Sequence, residues 1–229
     1  MKYEIIGTTV PAVELELSAN ESVFSQKGGL AWMTEGINMT TNAKGGLLKG
    51  IGRMFAGESL FMVTYSSSRD GAKIAFASTV PGSIMPIDVS SKEYIIQKGA
   101  FLAAETSIDL KTVFTRRISS GLFGGEGIIM QSIRGNGNCF LEIDGDTVIK
   151  ELAPNEVLKV DTGNVVAFES SVNYEIETVK GLTNIFFGGE GLFLTKLTGP
   201  GKVILQTQNF ADFAGRISRY IPTDRKSVV

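Results

Sequence analysis

The sequence predicts a mainly β fold: three tandem antiparallel β repeats in a pseudo-threefold, β-sandwich-like assembly, with short connecting helices and a C-terminal helix. Three observations carry that expectation. Glycine-centred motifs recur in the same order three times along the chain, and self-similarity at a fixed period marks repeat architecture. Runs that alternate apolar and polar residues have the period of half-buried strands. Between such runs stand glycine, asparagine and aspartate pairs that suit hairpin connections.

The recurring motif is a phenylalanine followed by small residues and a glutamate. It occurs as Phe55-Ala56-Gly57-Glu58-Ser59-Leu60-Phe61, then from Phe123 to Ile129, then from Phe187 to Phe193. A turn element follows each copy: Asp70-Gly71-Ala72-Lys73-Ile74, Gly135-Asn136-Gly137-Asn138-Cys139 and Gly199-Pro200-Gly201-Lys202-Val203. A third element precedes each copy, with Glu35, Glu105 and Glu169 six residues after Gly29, Gly99 and Gly163. The chain therefore reads as one compact unit, 1–229, with internal repeats at 3–71, 72–136 and 137–208, and a helix and tail at 209–229.

Taken in order, Val13 to Leu17 alternates valine, glutamate and leucine, which predicts a strand with one buried face. Trp32, Met33 and Met39 read as core. Asn42 to Met54 has apolar residues at helical spacing, with Lys44, Lys49 and Arg53 among them, and Leu110 to Ile118 is its counterpart, holding Lys111, Arg116 and Arg117. Both stretches interrupt the β pattern. Leu60 to Val63 and Leu192 to Leu194 are apolar without alternation, as in strands covered on both faces. Val172 to Glu177 alternates again. The serine clusters 66–68 and 119–120 fall where loops are expected. Asn209 to Tyr220 is the best helix: Asn209 caps it, Phe210, Phe213, Ile217 and Tyr220 form one stripe, and Pro222 follows. That stripe predicts docking on the β body.

Composition removes whole classes of chemistry. The 229 residues include no histidine and a single cysteine, Cys139, and the formal net charge is −2. Without histidine there is no Ser-His or Cys-His pair, and one cysteine makes neither an internal disulfide nor a multi-thiolate metal site. Cys139, beside Phe140 and Leu141 in a predicted strand, reads as a small buried hydrophobe. No run of about 18 apolar residues occurs, and the first residues carry Lys2 and Glu4 with no signal-peptide core. The expected location is the cytoplasm.

The Phe-x-Gly-Glu turns, the segment from Gly121 to Gly127, the strand Gly199 to Thr207 and the stretch Gly163 to Phe168 together resemble the family named for altered inheritance of mitochondria. The resemblance covers nearly the whole chain. It implies a β fold like that of the tryptophan RNA-binding attenuation protein, in tandem copies within one chain. It carries over no catalytic residue, and although the family's eukaryotic branch is associated with mitochondrial inner-membrane organisation, this chain shows no presequence.

Two residue sets are candidate sites. Glu58, Glu126 and Glu190 hold equivalent places, and converging carboxylates would suit a hard cation; the alternative is that each glutamate braces its own turn. Lys44, Lys49, Arg53, Lys111, Arg116 and Arg117 would form an anion-attracting patch if the fold gathers them on one face; otherwise they are solvated surface. The glycines of Gly45 to Arg53 lack the lysine and hydroxyl of a phosphate-binding loop. Because the repeated residues shape turns and cores, the sequence points to a non-enzymatic binding or scaffolding protein with no cofactor, no catalytic residue and no metal. A protein partner, an anionic surface or a second copy of the chain would be its partner. A carboxylate-based metal-dependent or small-molecule enzyme is the first alternative, and binding of RNA or an anionic surface through the basic segments is the second.

Overall fold

The computed structural model describes residues 1–26, 28–41, 62–116, 127–178, 193–218 and 220. Its strands are β1 (Lys2–Ile6), β2 (Ala12–Leu17), β3 (Ser22–Gln26), β4 (Leu30–Met33), β5 (Ile37–Thr41), β6 (Met62–Ser67), β7 (Ala72–Ala77), β8 (Gly82–Asp88), β9 (Tyr94–Gln97) and β10 (Phe101–Glu105). They continue as β11 (Ile108–Arg116), β12 (Ile128–Gly135), β13 (Asn138–Asp144), β14 (Thr147–Leu152), β15 (Val157–Asp161), β16 (Val165–Glu169), β17 (Asn173–Thr178), β18 (Phe193–Thr198) and β19 (Gly201–Gln206). Short 3-10 turns at Lys98–Ala100 and Thr162–Asn164 lead into β10 and β16, and one helix, α1 (Phe210–Ser218), follows the last strand.

Every pairing is antiparallel, and the strands form four sheets. Sheet 1 has the order β1-β2-β7-β4, sheet 2 β5-β6-β3-β10-β13-β8, sheet 3 β11-β12-β9-β16-β19-β14 and sheet 4 β15-β18-β17. The sheets stack in that order. One core joins sheets 1 and 2 through Leu15, Ile74 and Phe76 against Val23, Tyr65 and Phe140. A second joins sheets 2 and 3 through Phe24, Leu141 and Ile143 against Ile96, Ile133 and Ile204. A third joins sheets 3 and 4 through Met130, Phe168 and Val203 against Leu197, with Tyr174 packed beside it. Consequently sheets 2 and 3 are apolar on both faces, whereas sheets 1 and 4 each turn one face to solvent.

The pairing rules recur. β2 pairs β7, β8 pairs β13, and β14 pairs β19. β3 pairs β6, β9 pairs β12, and β15 pairs β18. β4, β10 and β16 pair β7, β13 and β19, each with a bulge at the same place: between Leu30 and Trp32, Phe101 and Ala103, Val165 and Ala167. A bulge sets the register of the residues that follow it, so Trp32, Ala103 and Ala167 are structurally equivalent, as are Met33, Ala104 and Phe168.

Several expectations meet their answer here. The strand at Val13 to Leu17 lies within β2, that at Val172 to Glu177 corresponds to β17, and the chain turns at 68–71, 136–137 and 199–200. Leu110 to Ile118 is not an interruption of the β pattern: through Arg116 it is β11, paired with β12 on both sides of a bulge at Val113, its β-branched Thr112, Val113 and Thr115 suiting a strand. Ser66 and Ser67 end β6 rather than a loop, and Ser67 is buried. Trp32, Met33 and Met39 are not core; Trp32 is 45% exposed, because β4 lies at the outer edge of sheet 1 and offers its side chains to solvent. Leu194 is only half-buried, since β18 lies in an outer sheet with one solvent face. The expected helix at Asn42 to Met54 lies outside the described residues.

α1 forms where its cap predicts: the Asn209 carbonyl accepts the Phe213 N–H at 3.0 Å and its side-chain oxygen accepts from Asp212 N–H at 3.4 Å. Its stripe, however, is not seated on the β body. Phe210, Phe213 and Ile217 are each about half exposed, Phe213 at 44%.

Candidate functional site

The carboxylates the fold places most firmly are Glu105 and Glu169, at the ends of β10 and β16. Glu105 Oε1 accepts from the backbone N–H of Asn138 at 2.9 Å and from its side-chain amide at 3.0 Å, holding the turn into β13. Glu169 lies against Gly201 in the matching turn and takes an ion pair from Lys92 at 2.6 Å, which pushes the Lys92 ammonium above its usual range. The close approach explains the glycines: Gly137 and Gly201 have φ of +142° and +141°, and a Cβ would crowd Glu105 at the first and Ser171, Val172 and then Glu169 at the second. The third member of this series is Thr34 rather than Glu35. Thr34 Oγ1 accepts from the backbone N–H of Lys73 at 2.9 Å, the bond that Glu105 makes to Asn138. Sequence spacing missed it by counting from Gly29: Ser25 to Trp32 and Ile96 to Ala103 both span seven residues, so Gly28, not Gly29, holds the place of Gly99.

The solvent faces of the two outer sheets are charged and paired. On sheet 1, Lys73 meets Glu14 at 2.6 Å and the indole of Trp32 donates to the same carboxylate at 3.0 Å. The Lys73 bond first and the Trp32 bond second hold Glu14 below the usual carboxylate range. On sheet 4, Lys159 meets Glu177 at 2.8 Å and Lys196 meets Glu175 at 3.3 Å. Exposed pairs of this kind contribute little to stability, but they make these faces soluble ends of the stack.

Cys139 is fully buried, and burial pushes its thiol far above the usual range, which leaves it no thiolate character. Asp144 and Asp161 are raised by burial, the first accepting from Phe210 N–H at 3.1 Å and the second from Gly163 N–H at 2.9 Å. Both act on backbone, one at the start of α1 and one at a 3-10 turn. Among the described residues no three carboxylate or thiol groups come together as a metal site.

The three candidate glutamates Glu58, Glu126 and Glu190 lie outside the described residues, as do Lys44, Lys49, Arg53 and Arg117. What is described is the strand pair framing each stretch: Thr41 opposite Val63, Arg116 opposite Ile128, Thr178 opposite Phe193. Lys111 sits on β11 and pairs with Asp109 at 2.7 Å, and Arg134 reaches the same carboxylate at 3.2 Å. Its charge is thus locally offset.

Sequence reasoning placed Trp32, Met33, Met39 and the stripe of α1 in the interior and did not reach the other exposed apolar residues. Tyr3, Ile5 and Ile6 on β1, Val10 after it, Trp32 and Met33 on β4, and Met39 on β5 are all exposed, as is the stripe of α1. The signal was present as a cluster of large apolar residues on short strands, but only the sheet order shows that β1 and β4 are edges.

Comparison with known proteins gives one consistent result. Residues 3–208 match the model of the family described as mitochondrial biogenesis AIM24. An uncharacterised protein of Streptococcus pyogenes serotype M6 is 33% identical over 221 residues, 93% of this chain and 88% of that one. The crystal structure of protein SPYM3_0169 from Streptococcus pyogenes superposes with a TM-score of 0.77 at 29% identity, covering 96% of this chain and 99% of the other.

Proposed function

Given that the chain belongs to the mitochondrial biogenesis family AIM24, we propose that it is a non-enzymatic binding or scaffolding protein built from three copies of one six-stranded unit. The units are 12–77, 82–144 and 147–206, the spans over which the pairing cycle described above repeats. The windows 3–71, 72–136 and 137–208 place the two internal cuts one strand earlier in the same cycle.

One observation carries the reading: large apolar side chains are exposed on both edge strands of the first sheet and along one stripe of α1 after the last strand. Large apolar side chains exposed in rows along a strand or a helix mark interaction surfaces. The best-placed carboxylates, by contrast, are committed to bracing turns and pairing lysines, which leaves them engaged in shape rather than poised for proton transfer.

The test has two arms. Photo-crosslinking in cells from position 213 on α1 should yield discrete adducts that are absent from position 175 on the charged face of sheet 4. Thermal-shift screening against divalent cations, nucleotides and small metabolites should give no saturable stabilisation. A compound that stabilises the chain and is also turned over would overturn the reading.

A further inference from the structure

We propose that copies of this chain join head to tail, β15 of one copy pairing antiparallel with β4 of the next in the register that already links the units inside the chain. Two such junctions exist internally. β3 pairs β10 through Ser25 opposite Ala103, Phe24 opposite Ala104 and Val23 opposite Glu105. β9 pairs β16 through Ile96 opposite Ala167, Ile95 opposite Phe168 and Tyr94 opposite Glu169. In each case the second strand of one six-stranded unit pairs the third strand of the next, and the result is a six-stranded sheet. The two strands left over from this rule are β15, second in the last unit, and β4, third in the first. Among the described residues each has a partner on one side only, β18 and β7 respectively.

The register of the missing junction follows from equivalences already established. Tyr94 opposes Ile133, four residues before Gly137, and Leu158 opposes Leu197, four residues before Gly201. Leu158, Lys159 and Val160 therefore stand where Tyr94, Ile95 and Ile96 do. On the other edge, Trp32, Met33 and Thr34 stand where Ala103, Ala104 and Glu105 do. The junction places Trp32 opposite Val160, Met33 opposite Lys159 and Thr34 opposite Leu158. It also supplies the flanking bond seen twice inside the chain, Thr106 N–H to Ser22 carbonyl and Ser170 N–H to Glu93 carbonyl, here as Glu35 N–H to the Val157 carbonyl.

Exposure agrees with this arrangement. β10 and β16, paired on both edges, are buried nearly throughout, whereas β4, the same strand of the first unit, has three of its four residues exposed. Val160 already packs at the rim of the third core, so Trp32 arriving opposite it would extend that core on the same face. Two different edges meet, so the contact is heterologous and builds a ring or an open chain rather than an isolated pair.

The proposal names a partner for the scaffold reading and rests on its division into three units, not on α1. Its test is cysteine pairing in the natural background, where Cys139 is buried. W32C with V160C, oxidised or treated with a short bis-maleimide, should give a ladder of covalent dimer, trimer and higher species. W32C or V160C alone should give none above dimer, and W32C with V157C should give little. Native mass spectrometry of the unmodified chain should show concentration-dependent oligomers, lost in W32K, with folding checked by circular dichroism. A chain that stays monomeric at its highest soluble concentration overturns the proposal, as does a W32C dimer that forms as readily as the ladder. If the monomer still yields crosslinks from position 213, only the head-to-tail junction falls and the scaffold reading stands.

Discussion

Sheets 2 and 3 and sheets 1 and 4 obey the same pairing rules yet present opposite surfaces. In the inner sheets, positions equivalent to one another hold Phe24 and Ile95; at the matching place in sheet 4 stands Lys159. Ala103 and Ala167, buried between layers, are matched in sheet 1 by Trp32, bonded to Glu14 on the solvent face. The lesson is that one backbone plan serves as interior or as end according to a few side chains. Stacked repeats need polar outer faces at their termini for solubility, and here the faces are capped with ion pairs while the edges are left apolar.

The largest effect that would sharpen this contrast comes from the shared cores. Phe140 and Phe168 are fully buried between layers, so Phe140→Ala or Phe168→Ala should cost about 3–5 kcal/mol in urea unfolding. Trp32→Ala, on an edge, should cost under about 1 kcal/mol in the monomer. Equal losses would erase the distinction between inner and outer sheets.

Next come the turn braces. Glu105→Ala leaves the Asn138 backbone N–H and amide without their acceptor and should cost about 1–3 kcal/mol, measured by the same unfolding curves. Thr34→Val removes a neutral hydroxyl that accepts from the Lys73 N–H at 2.9 Å and donates weakly to the Lys73 carbonyl at 3.4 Å, and at this exposed turn of the outer sheet it should cost less. The inner sheet also holds a flaw: the Gln131 amide is fully buried, and neither its oxygen nor its nitrogen has a partner among the described residues. Gln131→Leu should therefore raise the midpoint of thermal unfolding, by the equivalent of about 1–2 kcal/mol.

The smallest effect is electrostatic. Glu14 and Glu177 titrate below the ordinary glutamate value of 4.5 because Lys73 and Lys159 bond them. A depressed carboxylate contributes stability above its unfolded pKa and loses it as pH falls through the folded one, so acid below about 4.5 should loosen β2 and β17 first in amide exchange. Asp144 and Asp161, raised by burial above the ordinary 3.8, have the opposite sign: their cost shrinks as pH falls through their folded values. Amides near 144 and 161 should then keep their protection longer than those of β2. Uniform loss of protection would show that the outer faces are no softer than the rest.

Much was legible before any coordinates. Alternation at 13–17 and 172–177 gave strands because side chains on a pleated strand face opposite sides in turn, and Asn209 gave the start of α1 because its side chain and carbonyl supply acceptors there. Burial of Cys139 followed from its apolar neighbours. Other residues misled for identifiable reasons. Charges at 111 and 116 suggested an exposed helix, yet β-branched residues between them and pairing with β12 make a strand. Glu35 looked equivalent to Glu105 when counted from Gly29, but the strand pairings match Gly28, not Gly29, to Gly99, which moves the equivalent position to Thr34.

The amino-acid order by itself determined the local pieces: strand periodicity, turn residues with the positive φ that glycine tolerates, the helix cap, and the absence of the histidine that imidazole acid–base and thiolate–imidazole chemistry require. Tertiary structure alone decided which strand is an edge. Trp32 and Ala103 occupy the same place in the pairing plan, and nothing local distinguishes a strand that gains a second neighbour from one that does not. That depends on whether another unit follows in space, and so did the exposure of the apolar residues on which the functional reading turns.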